Sequence, residues 1–565
     1  MWTWFVELLR QHPEMALFLT LALGYLVGKI RVGPIVLGSV LGVLVVGVLV
    51  GQAGVKPSAD LKTAFFLLFL FSIGYRTGPQ FFSGLRTSGF PQIALTVLWV
   101  VSALGLTYAA AKLLGFDVGT AGGLMAGSTS ESAAVGTASD AISRLGLNPA
   151  TTQQQVANVT VAFAVTYFLG VLIIVTFLSR VAPRYILGVK DLAAECAELE
   201  RKMGILGEGA AATGYRTFAV RAYRAEGGLV GRTVRAVEQG FLERGERVLL
   251  PRLRRAGTVQ ETTPETVIQS GDVLAVVGRR PYVIAAQSAI GTEVEDKALL
   301  DVGVEAVDVV VAKKSTSGME VGKFIERVGP DFLRGVGVRK ITRGHVELPL
   351  VAATQLVAGD VVTLVGTHRD VERVAGAIGF MDRETNVTAI GLVAATVFIG
   401  GVIGIPALRF GHLELGLSQS VGVLLAGLVL GWLRSVNRRV PRLPEAAASL
   451  FDSLGLTAYL GILAIAAGPS FAAGLRQSGL RLVAAGIVLV LLPHILVLLA
   501  GRFVFHMPAG ILLGVTCGAG TTTPSLAAVQ EVARSKIPTL GYGVPYAVGN
   551  IFLALWGSVI VALVR

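Results

Sequence analysis

The sequence predicts a polytopic α-helical membrane protein: two inverted repeats of about five spans plus a re-entrant hairpin each, separated by a soluble α/β insert of two tandem domains. Three observations lead there. Charged residues make up 15% of the 565 and pool in the middle of the chain, where soluble domains carry about 25% throughout. Apolar runs long enough to cross a bilayer, about 20 residues, recur outside that middle, as in Pro34–Ala53, Ile93–Leu114, Leu480–Ala500 and Val544–Val564. The two outer parts also align on each other.

The membrane halves are 1–185 and 385–565. Gly38–Gly51 parallels Ser418–Gly431, with Gly42, Gly47 and Gly51 falling on Gly422, Gly427 and Gly431. Gly78–Gly89 parallels Gly468–Gly479. Repeated small residues let membrane helices approach closely, so packing is the first reading of each glycine. In the first half the expected spans are about 14–30, 34–53, 61–77, 92–114 and 153–180. The N-terminal residues lack the basic region and cleavage site of a secretory signal, so the first apolar run reads as a retained span. Between the last two spans, Asp117–Gly146 is small, polar and interrupted, which suits a re-entrant hairpin or broken helix buried in protein or lining an aqueous cavity.

An external N-terminus places Lys29, Arg31, Arg86, Arg180, Arg184 and Lys190 inside, together with the Arg434–Arg442 loop and Arg502. That agrees with the positive-inside rule and puts the insert on the cytoplasmic side of the membrane. An odd number of spans inverts the second half relative to the first. The insert, 186–383, alternates short β-rich runs with Gly, Asp and Pro. Val267–Gly278 (VIQSGDVLAVVG) parallels Gln355–Gly366 (QLVAGDVVTLVG), each a turn into a buried strand, giving tandem domains at 205–290 and 291–375.

The net charge of +12 fits basic cytoplasmic loops, and no nucleic-acid motif accompanies it. Two cysteines, Cys196 and Cys517, exclude a disulfide framework and a cysteine-rich metal site. His494 and His506 lack a carboxylate cluster, so neither a metal nor another cofactor is expected. The insert has no intact GxGxxG after a strand.

The chemistry is expected in a second duplication. Ala126–Val135 (AGSTSESAAV) recurs as Ala519–Val529 (AGTTTPSLAAV), setting Ser128, Thr129, Ser130 and Ser132 against Thr521, Thr522, Thr523 and Ser525. Hydroxyls donate and accept, and a half-helix N-terminus favours an anionic group. Two such tips entering from opposite faces would hold a zwitterion. The same residues would also cap broken helices. Glu131, aligned with Pro524, could take a substrate amino group or a proton, or face water at the hairpin tip. Arg76 follows an apolar run, and its repeat counterpart is Ala466. A guanidinium there could grip a substrate carboxylate bidentately or snorkel to the interface. Arg86 and Arg476 occupy equivalent places and read as loop anchors. Lys62 and Asp452, also equivalent, could pair.

Together the SIGYR, GPQFFSGLR and AGSTSESAAV segments and the paired GD turns resemble the aspartate:alanine exchanger family of bacterial transporters, over essentially the whole chain. The insert domains resemble the C-terminal domains of potassium-transport regulators, the TrkA-C type. The resemblance implies a homodimeric antiporter for small amino acids or dicarboxylates, a transport domain moving against a scaffold, and a role for Arg76. It also implies contact with membrane lipid and an insert that either dimerises or takes a regulatory ligand. Two other classes are weaker. A potassium channel gated by the insert predicts a TVGYG-like filter, which the sequence lacks. An enzyme predicts a nucleophile–base pair, and none stands out in the insert.

Overall fold

A computed structural model describes residues 2–32, 35–87, 90–204, 218–244, 246, 248–300, 304–329, 332–343, 346–382, 389–405, 407–410, 413–416, 418–437, 440–441 and 443–565. Expected boundaries at residues 34, 205 and 385 lie outside these, as do the side chain of Arg86 and part of the Arg434–Arg442 loop. The chain forms two compact units. One comprises Met1–Glu200, Arg343–Pro349 and Glu384–Arg565, the other Arg201–Thr342 and Leu350–Arg383.

The first unit is helical. Its first half runs α1 (Trp2–Gln11), α2 (Pro13–Gly28), a β1–β2 pair (Arg31–Val32, Ile35–Val36), α3 (Gly38–Gly51), α4 (Ala59–Thr87), α5 (Phe90–Leu114), α6 (Val118–Ser128), α7 (Ser132–Ser143) and α8 (Pro149–Thr176). A π-helical turn, Phe177–Ile186, and α9 (Leu192–Lys202) follow.

In the second unit, β3 (Phe218–Arg224), α10 (Val234–Leu242), β4 (Val248–Arg255), β5 (Thr258–Glu261), β6 (Val273–Arg279), α11 (Arg280–Ala285), α12 (Gln287–Ile290), β7 (Glu293–Val294) and α13 (Lys297–Leu300) build one sheet, ordered β5-β4-β6-β3-β7. The sheet thus reaches past the expected boundary at 290, because β7 pairs with β3. Next come β8 (Val304–Val311), β9 (Met319–Glu320), α14 (Val321–Val328), β10 (Val336–Arg343), β11 (Val346–Leu348, counted with the first unit), β12 (Gln355–Leu356), β13 (Val361–Thr367), α15 (His368–Ile378) and β14 (Gly379–Asp382). Within the second unit a second sheet is ordered β10-β13-β8-β14. Both GD turns have the same construction. Gly271 and Gly359 adopt φ +86° and +93°, where glycine carries no Cβ penalty. The Asp272 and Asp360 carboxylates accept from the Gln269 and Val357 amides, each at 2.8 Å.

The second half repeats the helix order of the first: α16 (Ile390–Gly404), a β15–β16 pair (Ala407–Phe410, Leu413–Gly416), α17 (Gln419–Val436), α18 (Glu445–Leu499), α19 (Ala509–Ala519), α20 (Thr523–Ala533) and α21 (Thr539–Val564). Six segments among the described residues are long and apolar enough to cross a membrane: Phe90–Leu114, Pro149–Ile186, Gln419–Val436, Glu445–Pro469, Gly479–Val504 and Thr539–Val564. α2, α3, α16 and α19 are apolar but shorter.

One expectation is corrected. The Gly468–Gly479 segment is part of α18, which continues through Pro469 and Pro493, so Arg476 lies on a helix and is no loop anchor. A proline inside a helix removes one hydrogen bond and crowds the preceding turn, and neighbouring helices in a membrane protein make that tolerable.

Glycine sets the closest approaches. A Cβ on Gly42 of α3 would sit 2.0 Å from the Gly24 carbonyl oxygen of α2, and one on Gly422 of α17 would sit 2.1 Å from that of Gly400 of α16. The same device thus pairs the first two apolar helices of each half. The core of this unit gathers Leu44, Phe66, Ala133, Phe163, Leu424 and Tyr459, so α7 is packed from several sides.

Candidate functional site: two broken-helix tips

Each half breaks one helix at the hydroxyl segment, and the two breaks have the same geometry. At the first, α6 ends at Thr129 (φ −93°, ψ −2°), Ser130 turns left-handed (φ +57°), and Glu131 (φ −101°, ψ 93°) caps α7. At the second, α19 ends at Gly520 (φ −87°, ψ 11°), Thr521 turns left-handed (φ +50°), and Thr522 (φ −100°, ψ 87°) begins α20. The Glu131 and Thr522 amides close the turns on the Ala126 and Cys517 carbonyls at 2.9 and 3.0 Å. Left-handed backbone is strained for any residue but glycine, by about 1–3 kcal/mol, and such strain clusters at functional sites. Thr521, being β-branched, is the more unusual of the two.

This geometry corrects the repeat register. Ser130 matches Thr521 and Glu131 matches Thr522, two positions from the pairing that the sequence alignment suggests. The alignment followed the Ala-Gly pairs and the Ala-Ala-Val runs, and the backbone follows the break. Glu131 therefore has a hydroxyl counterpart instead of Pro524.

The hydroxyls divide by task. Ser128 Oγ donates to Leu124 O at 2.7 Å and Thr129 Oγ1 to Met125 O at 2.8 Å, each bonding back to the carbonyl four residues earlier at the end of α6. Their lone pairs stay available as acceptors. Thr522 Oγ1 and Ser525 Oγ share a hydrogen bond of 2.8 Å, and Thr523 Oγ1 shares one of 2.9 Å with the Tyr542 hydroxyl. Ser128, Thr129, Ser132, Thr522 and Ser525 are buried, Ser130 and Thr521 are half-buried, and Thr523 is exposed. The tips meet where Thr521 Oγ1 donates to Thr129 O at 3.4 Å. The Thr521 hydroxyl also lies close enough to the Glu131 carboxyl to influence it.

Glu131 does not face open water. It is 4% exposed, and Oε1 accepts from the Ala133 amide at 3.2 Å, so it serves as the N-cap of α7. Arg76 on α4 is paired: NH1 lies 3.1 Å from Asp452 Oδ2 and NH2 2.9 Å from Glu445 Oε1, both on α18. Asp452 thus pairs with Arg76, where the sequence suggested Lys62. Arg76, Asp452 and Glu131 all lie within electrostatic range of the Tyr546 hydroxyl on α21.

Near α7 and the second tip, Asp140 and Trp99 escaped the sequence reading, which weighed His494 only as a metal ligand. Asp140 on α7 accepts a hydrogen bond from Ser420 Oγ in the first turn of α17, with Lys62 and Arg144 close enough to interact. An acid within a run of small residues was the available signal. Trp99 on α5 and His494 on α18 are fully buried, their rings edge-to-face with centroids 5.1 Å apart. Nothing in the sequence links positions that far apart. Among the described residues no three His, Cys, Asp or Glu side chains gather as metal ligands.

The profile of a family described as a predicted permease membrane region matches residues 16–183 and 392–562, which are the two helical stretches flanking the insert. Full-length relatives agree. An uncharacterized transporter of Shewanella oneidensis is 35% identical over 566 aligned residues, covering 99% of each chain. Others are 35% identical in Bradyrhizobium diazoefficiens and 34% identical in Bordetella parapertussis, covering 97% and 98% of each chain. No solved structure matches the chain. With its broken helices falling inside both matched stretches, the chain belongs to this permease family and is a membrane transport protein.

Proposed function

We propose that the protein is a secondary active antiporter exchanging small amino acids or carboxylates, of the aspartate/alanine type, by alternating access. The observation that carries this reading is the meeting of two strained broken-helix tips, one from each half, at Thr521 and Thr129. Irregular backbone at membrane depth is tolerated where protein buries it or where it lines a cavity, and secondary transporters build substrate sites from such breaks. The substrate set is Arg76, Ser128, Thr129, Ser130, Ser132, Thr521, Thr522, Thr523 and Ser525, with Glu131 as the coupling group. Arg76 binds a substrate carboxylate in competition with Asp452 and Glu445. A substrate arriving between the tips exchanges partners with this ion cluster, which couples occupancy to the position of α18.

The repeated helix order and the basic loops support an inverted pair in an inner membrane with the insert cytoplasmic. The matched GD turns support TrkA-C-type insert domains, and the family resemblance supports a homodimer.

Counterflow in proteoliposomes tests this function. Labelled aspartate is expected to enter only against internal aspartate or alanine. Uptake that ignores the internal substrate would contradict antiport. Silence toward amino acids and dicarboxylates alike would contradict the substrate class.

A further inference from the structure

Beside the second tip lies a pair of polar groups that the hydroxyl segments do not account for. Trp99 is 0% and His494 2% exposed, and neither Trp99 Nε1 nor His494 Nε2 has a hydrogen-bond partner among the described residues. Buried polar groups are nearly always satisfied, and leaving one orphaned is costly. The other imidazole nitrogen is committed: Nδ1 lies 2.6 Å from Val490 O. A carbonyl only accepts, so Nδ1 carries its proton and Nε2 of the neutral ring is left as an acceptor. The indole Nε1–H only donates.

Both rings pack against the break, His494 through Nε2 and Trp99 through the benzene edge of its indole. A Cβ placed on Gly520 would lie 2.6 Å from His494 Nε2 and 3.2 Å from Trp99 Cζ2. The position has ordinary helical φ, so glycine is needed there for space and not for backbone freedom. Gly520 immediately precedes the strained Thr521, whose hydroxyl touches the first tip.

We infer that Trp99 and His494 form a substrate subsite at Gly520 that reads the α-amino and α-carboxylate groups of the transported molecule together. The indole N–H donates to the carboxylate, and the ammonium group donates to His494 Nε2. One donor and one acceptor on adjoining rings match a zwitterionic α-amino acid and mismatch a carboxylate lacking the amino group, which leaves Nε2 orphaned. This assignment rests on the amino-acid reading above and sharpens it: the subsite selects aspartate over succinate and alanine over propionate.

The test is exchange in proteoliposomes with these four compounds, using Trp99→Phe, His494→Phe, His494→Gln and the wild type, each checked for folding by thermal melting. Trp99→Phe removes the donor and keeps the ring, and its half-saturation for aspartate is expected to rise about five- to tenfold. His494→Phe is expected to bring the aspartate/succinate preference close to one, while His494→Gln, which retains an acceptor, restores part of it. A merely structural role would change melting and total flux and leave the preference intact. Folded variants with unchanged preference and half-saturation overturn the subsite alone and indicate that an ordered water satisfies both nitrogens. A wild type that transports succinate and propionate but neither amino acid, or none of the four, overturns the amino-acid reading and the subsite with it.

Discussion

Glu131 and Thr521 both sit at the junction of the two tips. Glu131 caps α7 and the Thr521 hydroxyl donates to Thr129 O, so one holds a helix start and the other the contact between the tips. Glu131→Ala is expected to release the Ala133 amide and cost about 1 kcal/mol locally, read as roughly fivefold faster hydrogen exchange there. Glu131→Gln keeps an accepting oxygen and is expected to protect that amide while removing any charge-dependent coupling. For Arg76, one partner, Asp452, is half-buried and the other, Glu445, is exposed. Arg76→Ala leaves Asp452 without its cation, while Arg76→Lys keeps the charge but loses the planar fork that spans two carboxylates. Exchange is expected to fall more than tenfold in the first and by a smaller factor in the second, measured as initial counterflow rate.

At this scale the sequence was partly legible. Serines and threonines beside glycine marked the breaks. The register of the breaks was hidden, since left-handed φ at Ser130 and Thr521 leaves no trace in residue type. So were Asp140 with Ser420 and Trp99 with His494, because each pair is joined only by the folding of one half against the other. Asp140→Asn and Ser420→Ala are both expected to loosen α7 from α17 and to speed exchange of α7 amides, whereas Ser143→Ala, whose hydroxyl bonds only within α7, is expected to leave them unchanged.

Helix spacing is an element-scale property and was well announced by the sequence. The aligned glycines of α3 and α17 do face their partner helices at backbone distance. Gly51 on α3 meets α18, where an added Cβ would lie 2.2 Å from Ile465 O. Gly51→Ala is therefore expected to destabilise the protein by about 1–3 kcal/mol through overpacking. Gly105 on α5 has nothing within 4 Å of the same position, and Gly105→Ala is expected to be neutral or to stabilise by up to about 1 kcal/mol. Thermal melting in detergent separates the two. The long α18 was not legible. The equivalent places of Arg86 and Arg476 read as loop anchors, whereas α18 runs through Arg476.

On the scale of the whole molecule the two units answer to different conditions. In the insert, burial pushes the Asp272 carboxyl up, but the Arg255 guanidinium and the Gln269 amide outweigh it and hold it below its usual range. The Arg254 guanidinium lowers Asp296 in the same direction. A carboxylate whose folded pKa is depressed stabilises fully above its unfolded value, about 3.9, and loses that contribution as pH falls through the folded value. The insert is therefore expected to open in acid below about pH 4, with Arg255→Ala moving the transition upward, followed by hydrogen exchange across β4 and β6 of the intact protein. At neutral pH both native cysteines stay quiet. Both are buried, and burial followed by Glu195 and Glu200 pushes the Cys196 thiol up to about 12.

Quiet native thiols make one measurement the most direct test of a shared, alternately exposed site. Single cysteines at Ser130 and Thr521 are labelled with a membrane-impermeant maleimide from each side of sealed vesicles, with and without aspartate or alanine. The result expected is that both positions label from both sides and that substrate protects both. Labelling of each tip from one side only, unaffected by substrate, would contradict a single site formed by the two tips.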